Sequence, residues 1–347
     1  MVVPSPRDLG AAIVTAAGCL AWWGVEKFAG WLSASTPASL AGATLARWQW
    51  VNIAAFAVNV VSVAIPGRID DEMAEQMKKE AKARKKRPSV APGVPKDSIY
   101  RSLVTPAGWA FLIWPVIYLA ESVFTAAQAS DALDPVSTAA YSSAAPWWLL
   151  ACALQSLWCV AFRDWAKAPE HFWISGALLT AEAVALGRAV HAVDAARVAF
   201  PSAAYWCGRF PLALHHGWIT AAAVVNVNSW LAVSDYPNEI SSAEFQARAA
   251  FISHAAAAFC GCRVSWTTND PTFVGVIAWA LYAIAADGGW RKRLVERIGE
   301  EPLRAIARNA LFHARVASAL CVYLAAKPLV DPYLPDAGVA GLLAWKR

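Results

Sequence analysis

Charge is scarce in this chain. Asp, Glu, Lys and Arg make up 16% of its 347 residues, where a soluble domain carries about a quarter. Hydrophobic residues reach 58% even with glycine left out, and the mean hydropathy is +0.39. The apolar residues stand in blocks, which excludes an ordinary soluble domain and indicates a multi-pass membrane protein. Catalytic signatures are missing too: there is no phosphate loop, no His-Glu-x-x-His and no Gly-x-Ser-x-Gly elbow. No second Cys/His pair stands at zinc spacing from Cys260-Gly-Cys262. Four of the seven cysteines, Cys19, Cys152, Cys159 and Cys321, lie inside apolar segments, where a thiol behaves as a small hydrophobe. Internal repeats of the transporter kind are not evident. The expectation is a protein with no catalytic residues and no metal site, not an enzyme.

What is present is helix-length grease. About 20 mostly apolar residues cross a bilayer, and nine segments qualify: 10–31, 48–66, 107–128, 147–164, 171–192, 209–233, 247–264, 271–287 and 310–330. The eighth is the weakest, with an unbroken apolar run of only 14 residues from Phe273 to Ala286. The apolar run reaching Trp31 is too long for a signal-peptide core, so a retained first helix is expected. The net charge of +5 does not signal nucleic acid, because the basic residues gather in two loops. Residues 67–101 hold ten Lys/Arg, including Lys82 to Arg87, and residues 288–309 hold six. Nine spans place both loops on one side, with 19 basic residues against about eight opposite. The positive-inside rule then puts the N-terminus on the cytoplasmic, or equivalent inner, side. Residues 70–87 read as an exposed charged helix, and residues 290–308 as an interfacial helix with Trp290, Leu294 and Ile298 at helical spacing. Ser241 to Glu244 has the pattern of a capping box opening the seventh span.

The third span carries unusual furniture in "TPAGWAFLIWPVIYLAE". Phe111, Trp114, Tyr118 and Glu121 keep to one stripe within about 60°. A carboxylate at the depth of Glu121 is costly unless paired, protonated or wet. Pro115 frees a carbonyl one turn earlier, so this stripe is expected to face protein or a cavity. The sixth span, "FPLALHHGWITAAAVVNVNSW", offers a matching face through His215, Ile219, Ala222, Asn226 and Trp230, and Gly217 permits close helix approach. Tyr118, Glu121, His215, His216 and Trp218 share one depth, which Arg188 also reaches. Adjacent histidines point about 100° apart, so only one of His215 and His216 can face a given ligand. A hydrogen-bonded bundle histidine is the plainer reading of either, and of His254. Glu182 must be protonated or paired with another helix, because Arg188 lies about 120° away.

"PAGWAFLIWPVIYL" (Pro106 to Leu119), "PLALHHGWITAAAVVNVN" (Pro211 to Asn228) and "LQSLWCVAF" (Leu154 to Phe162) resemble the signature helices of tryptophan-rich membrane proteins related to the translocator protein/TspO family. The resemblance spans roughly residues 48–290. It implies an all-α polytopic bundle with a TspO-like core, preceded by an extra helix and loop in 1–47. The basic loop 67–101 is an insertion, and an interfacial helix with a last span fills 291–347. It also implies an intrabundle aromatic pocket for an amphipathic planar ligand of the tetrapyrrole, sterol or carotenoid class. Haem or another tetrapyrrole is the candidate cofactor. Carried over by position, the pocket aromatics are Trp109, Trp114, Tyr118, Trp158 and Trp218, with Asn226 as a polar group; Glu121 and His215 join them on the grounds of depth, and Glu182 as a mid-helix carboxylate that must be protonated or paired. The chain departs from the family pattern in having nine spans for five and two histidines before Gly217. Expected partners are the lipid bilayer, a small hydrophobic ligand and further copies of the chain. A non-catalytic membrane subunit, or an enzyme acting on a lipid or pigment through Glu121 or Glu182 with a histidine, stand as alternatives.

Overall fold

A computed structural model describes residues 5–33, 38–40, 43–69, 102–129, 135–194, 202–234, 239–287 and 298–330. Nine helices occur among them: α1 (Pro6–Ser33), α2 (Arg47–Ala64), α3 (Ile113–Gln128), α4 (Pro135–Ala161), α5 (Pro169–Asp194), α6 (Phe210–Ser234), α7 (Glu239–Thr268), α8 (Pro271–Asp287) and α9 (Glu300–Val330). Two three-residue strands, β1 (Ala38–Leu40) and β2 (Ala43–Leu45), pair antiparallel between α1 and α2. Five segments are long and apolar enough to cross a membrane by length and composition: α1, α3 with its preceding turn, α4, α5 and α9. Residues 70–101 and 290–297, which hold most of the basic-loop and interfacial-helix expectations, lie outside the described residues.

Local chemistry explains several boundaries. Pro6 and Pro271 each occupy the first helical position, where a missing N–H costs nothing. Ser5 Oγ accepts from the Asp8 N–H at 3.2 Å while Asp8 Oδ2 accepts from the Ser5 N–H at 3.0 Å, a reciprocal cap. Asp270 caps α8 by accepting from the Thr272 N–H at 2.9 Å. Asn269, at φ 54°, makes the sharp α7–α8 turn, a conformation Asn tolerates. α7 begins at Glu239, ahead of Ser241, so the expected box falls inside the helix. Residues 300–308 of the expected interfacial helix form one continuous helix with the last span.

Pro115 also differs from expectation. Residues Gly108–Leu112 wind as a 3₁₀ turn and α3 starts at Ile113, so Pro115 sits in the first α turn, where its missing donor is least missed. The stretch before it is non-helical backbone held inside protein: Leu103 and Val104 are buried, and the Ala107 N–H donates to Ala283 O on α8 at 2.9 Å. Non-helical backbone at membrane depth requires such cover.

The bundle has two cores. One joins α1 to α6 around Trp148, Phe124, Tyr141 and Leu186. The other joins α7, α8 and α9 through Ala250, Ala258, Ile277, Leu281, Ala310 and Ala314. α8, the weakest span by sequence, runs along the inside, with Val274, Ile277 and Ala283 sealed. At 17 residues it is about 25 Å long. α1, by contrast, exposes Leu20, Trp23 and Ile13 by 59–66%, a face suited to acyl chains. Close approach needs glycine at the α6–α8 crossing, where a Cβ on Gly217 would sit 2.9 Å from Val276 Cβ.

Candidate functional site

The third and sixth spans do turn their ring-bearing edges toward each other. α3 exposes Val116, Leu119 and Val123 on its outer face, which leaves Trp114, Tyr118 and Glu121 for the interior. Trp114 stacks on Tyr118 with centroids 5.6 Å apart, and meets the rings of His215 at 5.9 Å and Trp218 at 6.1 Å edge to face.

Beside these rings lies a buried acid–imidazole–acid trio. His215 Nδ1 is 2.7 Å from Glu121 Oε1, and His215 Nε2 is 3.4 Å from Glu182 Oε1. The Trp148 indole N–H adds a donor to Glu121 Oε1 at 3.2 Å. All three residues are at most 1% exposed. The Glu182 contact is an ion-pair distance without hydrogen-bond geometry, and neither Glu182 oxygen accepts a hydrogen bond among the described residues. Two carboxylates and an imidazole without solvent must share protons so that little net charge remains. Glu182 thus finds its partner on another helix, as expected, while Arg188 stands apart.

The rings wall a small cavity of about 100 Å³ lined by Phe111, Trp114, Trp158, Phe162, Trp218 and Asn226, among others. Its polar points form chains. The Trp158 N–H donates to Ser175 Oγ at 2.9 Å, which donates to Asn226 Oδ1 at 2.5 Å; the Asn226 amide then donates to Ala222 O at 2.9 Å. Trp218 Nε1 is buried and has no acceptor among the described residues. Gln155, at the wall, donates to Tyr118 Oη at 3.2 Å and accepts from Asn59 Nδ2 at 2.8 Å. Tyr118 Oη donates in turn to Asn59 Oδ1 at 3.4 Å.

The structure therefore gathers eight of the nine sequence candidates into two adjoining sets. Trp114, Trp158, Trp218 and Asn226 line the cavity, with Tyr118 held at its edge through Gln155, and Glu121, Glu182 and His215 form the sealed trio behind Trp114. Trp109 stays outside. It rides the 3₁₀ turn, out of phase with the α3 stripe, is 38% exposed, and meets Trp279 of α8 edge-on at 4.7 Å. His216 points to Phe273 and Gly187, away from the trio, and His254 pairs with Asn309 Oδ1 at 3.0 Å.

Sequence reasoning missed three groups. Asn52 and Asn59 of α2 tie to Gln128 and Gln155; their seven-residue separation on an apolar helix was the available signal. Ser175 had no signal at all. Arg209, at the start of the expected sixth span, is 2% exposed. It pairs with Asp194 at 2.5 Å and with Asp270, and Tyr205 Oη donates to Asp270 Oδ1 at 2.7 Å. This clamp sits on a π turn, Tyr205–Arg209, where the Tyr141 hydroxyl crosses Gly208 so closely that no Cβ would fit, and donates to Ala204 O at 2.7 Å.

A helical bundle with five segments long and apolar enough to cross a membrane defines the class: an integral, multi-pass membrane protein. The comparison with protein families is specific. The model for TSPO-like proteins matches residues 96–320, and the chain belongs to that family. The match begins after α2 and reaches well into α9. No curated protein and no solved structure matches the chain.

Proposed function

We propose that this TSPO-like membrane protein binds an amphipathic planar hydrophobic molecule, of the tetrapyrrole, sterol or carotenoid class, between α3, α4, α5 and α6. The observation that carries this is Trp218: a buried indole N–H without an acceptor, in the wall of an aromatic cavity. An unmet donor there has the chemistry to fix the polar edge of a ligand while Trp114 and Trp158 cover its faces. At about 100 Å³ the cavity holds only about three waters, and ligand sites are usually about 300–1,000 Å³. This is therefore a closed form, and entry requires the half-buried Trp114 and the exposed Phe111 to swing aside.

A histidine-ligated haem does not fit these residues. Both ring nitrogens of His215 face carboxylates, and His216 lies outside the cavity. A tetrapyrrole would be held by ring stacking and edge hydrogen bonds alone. Glu121 and Glu182 are sealed behind Trp114, out of a ligand's reach, so on this reading the protein is a binder or carrier and not an enzyme.

The test is titration of the purified protein with protoporphyrin IX, cholesterol and β-carotene, read as tryptophan quenching and pigment absorption. Saturable quenching is expected with at least one. Trp114→Ala weakens it about tenfold, through lost ring contact. Trp218→Phe, which keeps the ring and loses the N–H, weakens it about fivefold. Trp109→Ala leaves it unchanged. No quenching by any of the three, or equal affinity in the Trp114 and Trp218 variants, sinks the proposal.

A further inference from the structure

We propose a second site, independent of the aromatic cavity: the groove along the α5–α6 seam holds one acidic phospholipid, with its headgroup phosphate on Arg188. The groove measures about 750 Å³ and shares no lining residue with the aromatic cavity. From Thr180 to His191 it follows α5 for about 16 Å. Val184 and Val227, 47% and 37% exposed, stand on its rim, so it opens toward the bilayer.

Its polarity is graded. At one end stand Arg188 and, three residues further along α5, His191. Ala183, Val184, Ala223, Val224 and Val227 make the apolar middle. The far end is closed by Asn228, whose amide donates to Ser253 Oγ of α7 at 2.9 Å. Cation, then slot, then stop is the order of a phosphate and an acyl chain lying along a helix.

The charge balance favours an anion. Arg188 lies six residues, about 9 Å, before the end of the apolar segment Glu170–Asp194, and its side chain is exposed. Among the described residues no carboxylate stands within ion-pair distance of it, and its guanidinium lies over the Trp147 ring at 5.8 Å. Asp194, the acid at that end of α5, is taken by Arg209. A guanidinium uncompensated by protein at this depth is completed by a bidentate phosphate, and basic pockets between spanning helices recognise acidic headgroups. The open flank makes the bilayer the source.

Native mass spectrometry of the full chain in non-ionic detergent, offered equal phosphatidylglycerol and phosphatidylcholine, tests this. One phosphatidylglycerol should be retained with about fivefold preference or more. Arg188→Gln should bring the two lipids to parity, and Arg188→Lys should keep part of the preference. Ala183→Trp, which fills the slot, should abolish retention of both, with the thermal transition of each variant unmoved. Trp114→Ala should retain lipid as the wild type does, so that failure here and failure of the cavity reading are told apart. Equal retention of both lipids by the wild type, or an undiminished preference in Arg188→Gln, overturns the proposal. So does displacement by equimolar palmitate, which would assign a free carboxylate. A lipid-free dimer broken by Ala183→Trp would assign the groove to a second copy.

Discussion

The two cores of this bundle are built on opposite economies. Between α2 and α6 the interior is threaded with polar groups: Asn59, Gln155, Ser175, Glu121, Glu182 and His215 are all at most 1% exposed and come from five helices. Between α7, α8 and α9 the contacts are nearly dry and small, with Ala310, Ala314 and Ala317 of α9 fully buried along one stripe. Lipid tails are as apolar as leucine, so neither core gains much from hydrophobic burial as such. The first gains specificity from matched donors and acceptors, the second from close backbone approach. The first leaves Trp218 Nε1 without a hydrogen-bond partner in the wall of an aromatic cavity, with both Glu182 oxygens unpartnered behind it, whereas the second leaves His254 Nε2. That is why the functional reading falls there.

The contrast can be broken most severely at His215. His215→Leu strands two carboxylates in the bundle and should cost about 3–5 kcal/mol, seen as a large drop in the fluorescence-detected unfolding temperature in detergent. A loss below about 1 kcal/mol would mean the trio is neutral and weakly coupled. In the dry core, added bulk is the lesion. Ala314→Leu, on the sealed α9 stripe, should cost about 1–3 kcal/mol by overpacking, measured the same way. An unchanged transition would show a looser seam than the geometry describes. Asn59→Ala cuts the bridge between α2 and Gln155 and should cost about 1 kcal/mol. Its signature is selective: hydrogen exchange at α2 should rise while α7 to α9 stay protected. The smallest effect belongs to Gly30→Ala on α1, where a Cβ meets nothing within 4 Å. It should shift stability by less than about 1 kcal/mol, in contrast to Gly217→Ala, whose new methyl presses on Val276.

Much of this was legible along the chain, for reasons that particular residues make plain. Hydrophobic length placed nine helices, and α8, the weakest of them by sequence, is one of the nine helices among the described residues. Helical phase put Trp114, Tyr118 and Glu121 on one edge, and that edge is the inward one. Trp109, placed in the pocket by the resemblance, stays outside it because the backbone before Ile113 winds as a 3₁₀ turn. At Arg209 a π turn carries a cation at the start of a span into the interior. Both are places where the residue-per-turn count behind such readings does not hold. Ser175 and Gln155 carried no signal, because a polar residue in an apolar helix reveals a need for a partner but not where that partner is.

Sequence alone determined that this chain resides in a membrane as a helical bundle, which edge of each helix is unusual, and its kinship with TSPO-like proteins. The first two follow from one-dimensional quantities, apolar length and angular period, and the third from the resemblance of its signature helices to that family. Which edges meet was decided only in three dimensions: that His215 lies between Glu121 and Glu182, that Trp158 reaches Asn226 through Ser175, and that Arg188 opens onto a separate groove. Rotation of one helix about its axis relative to the next is set by packing across the whole bundle, and no local pattern encodes it.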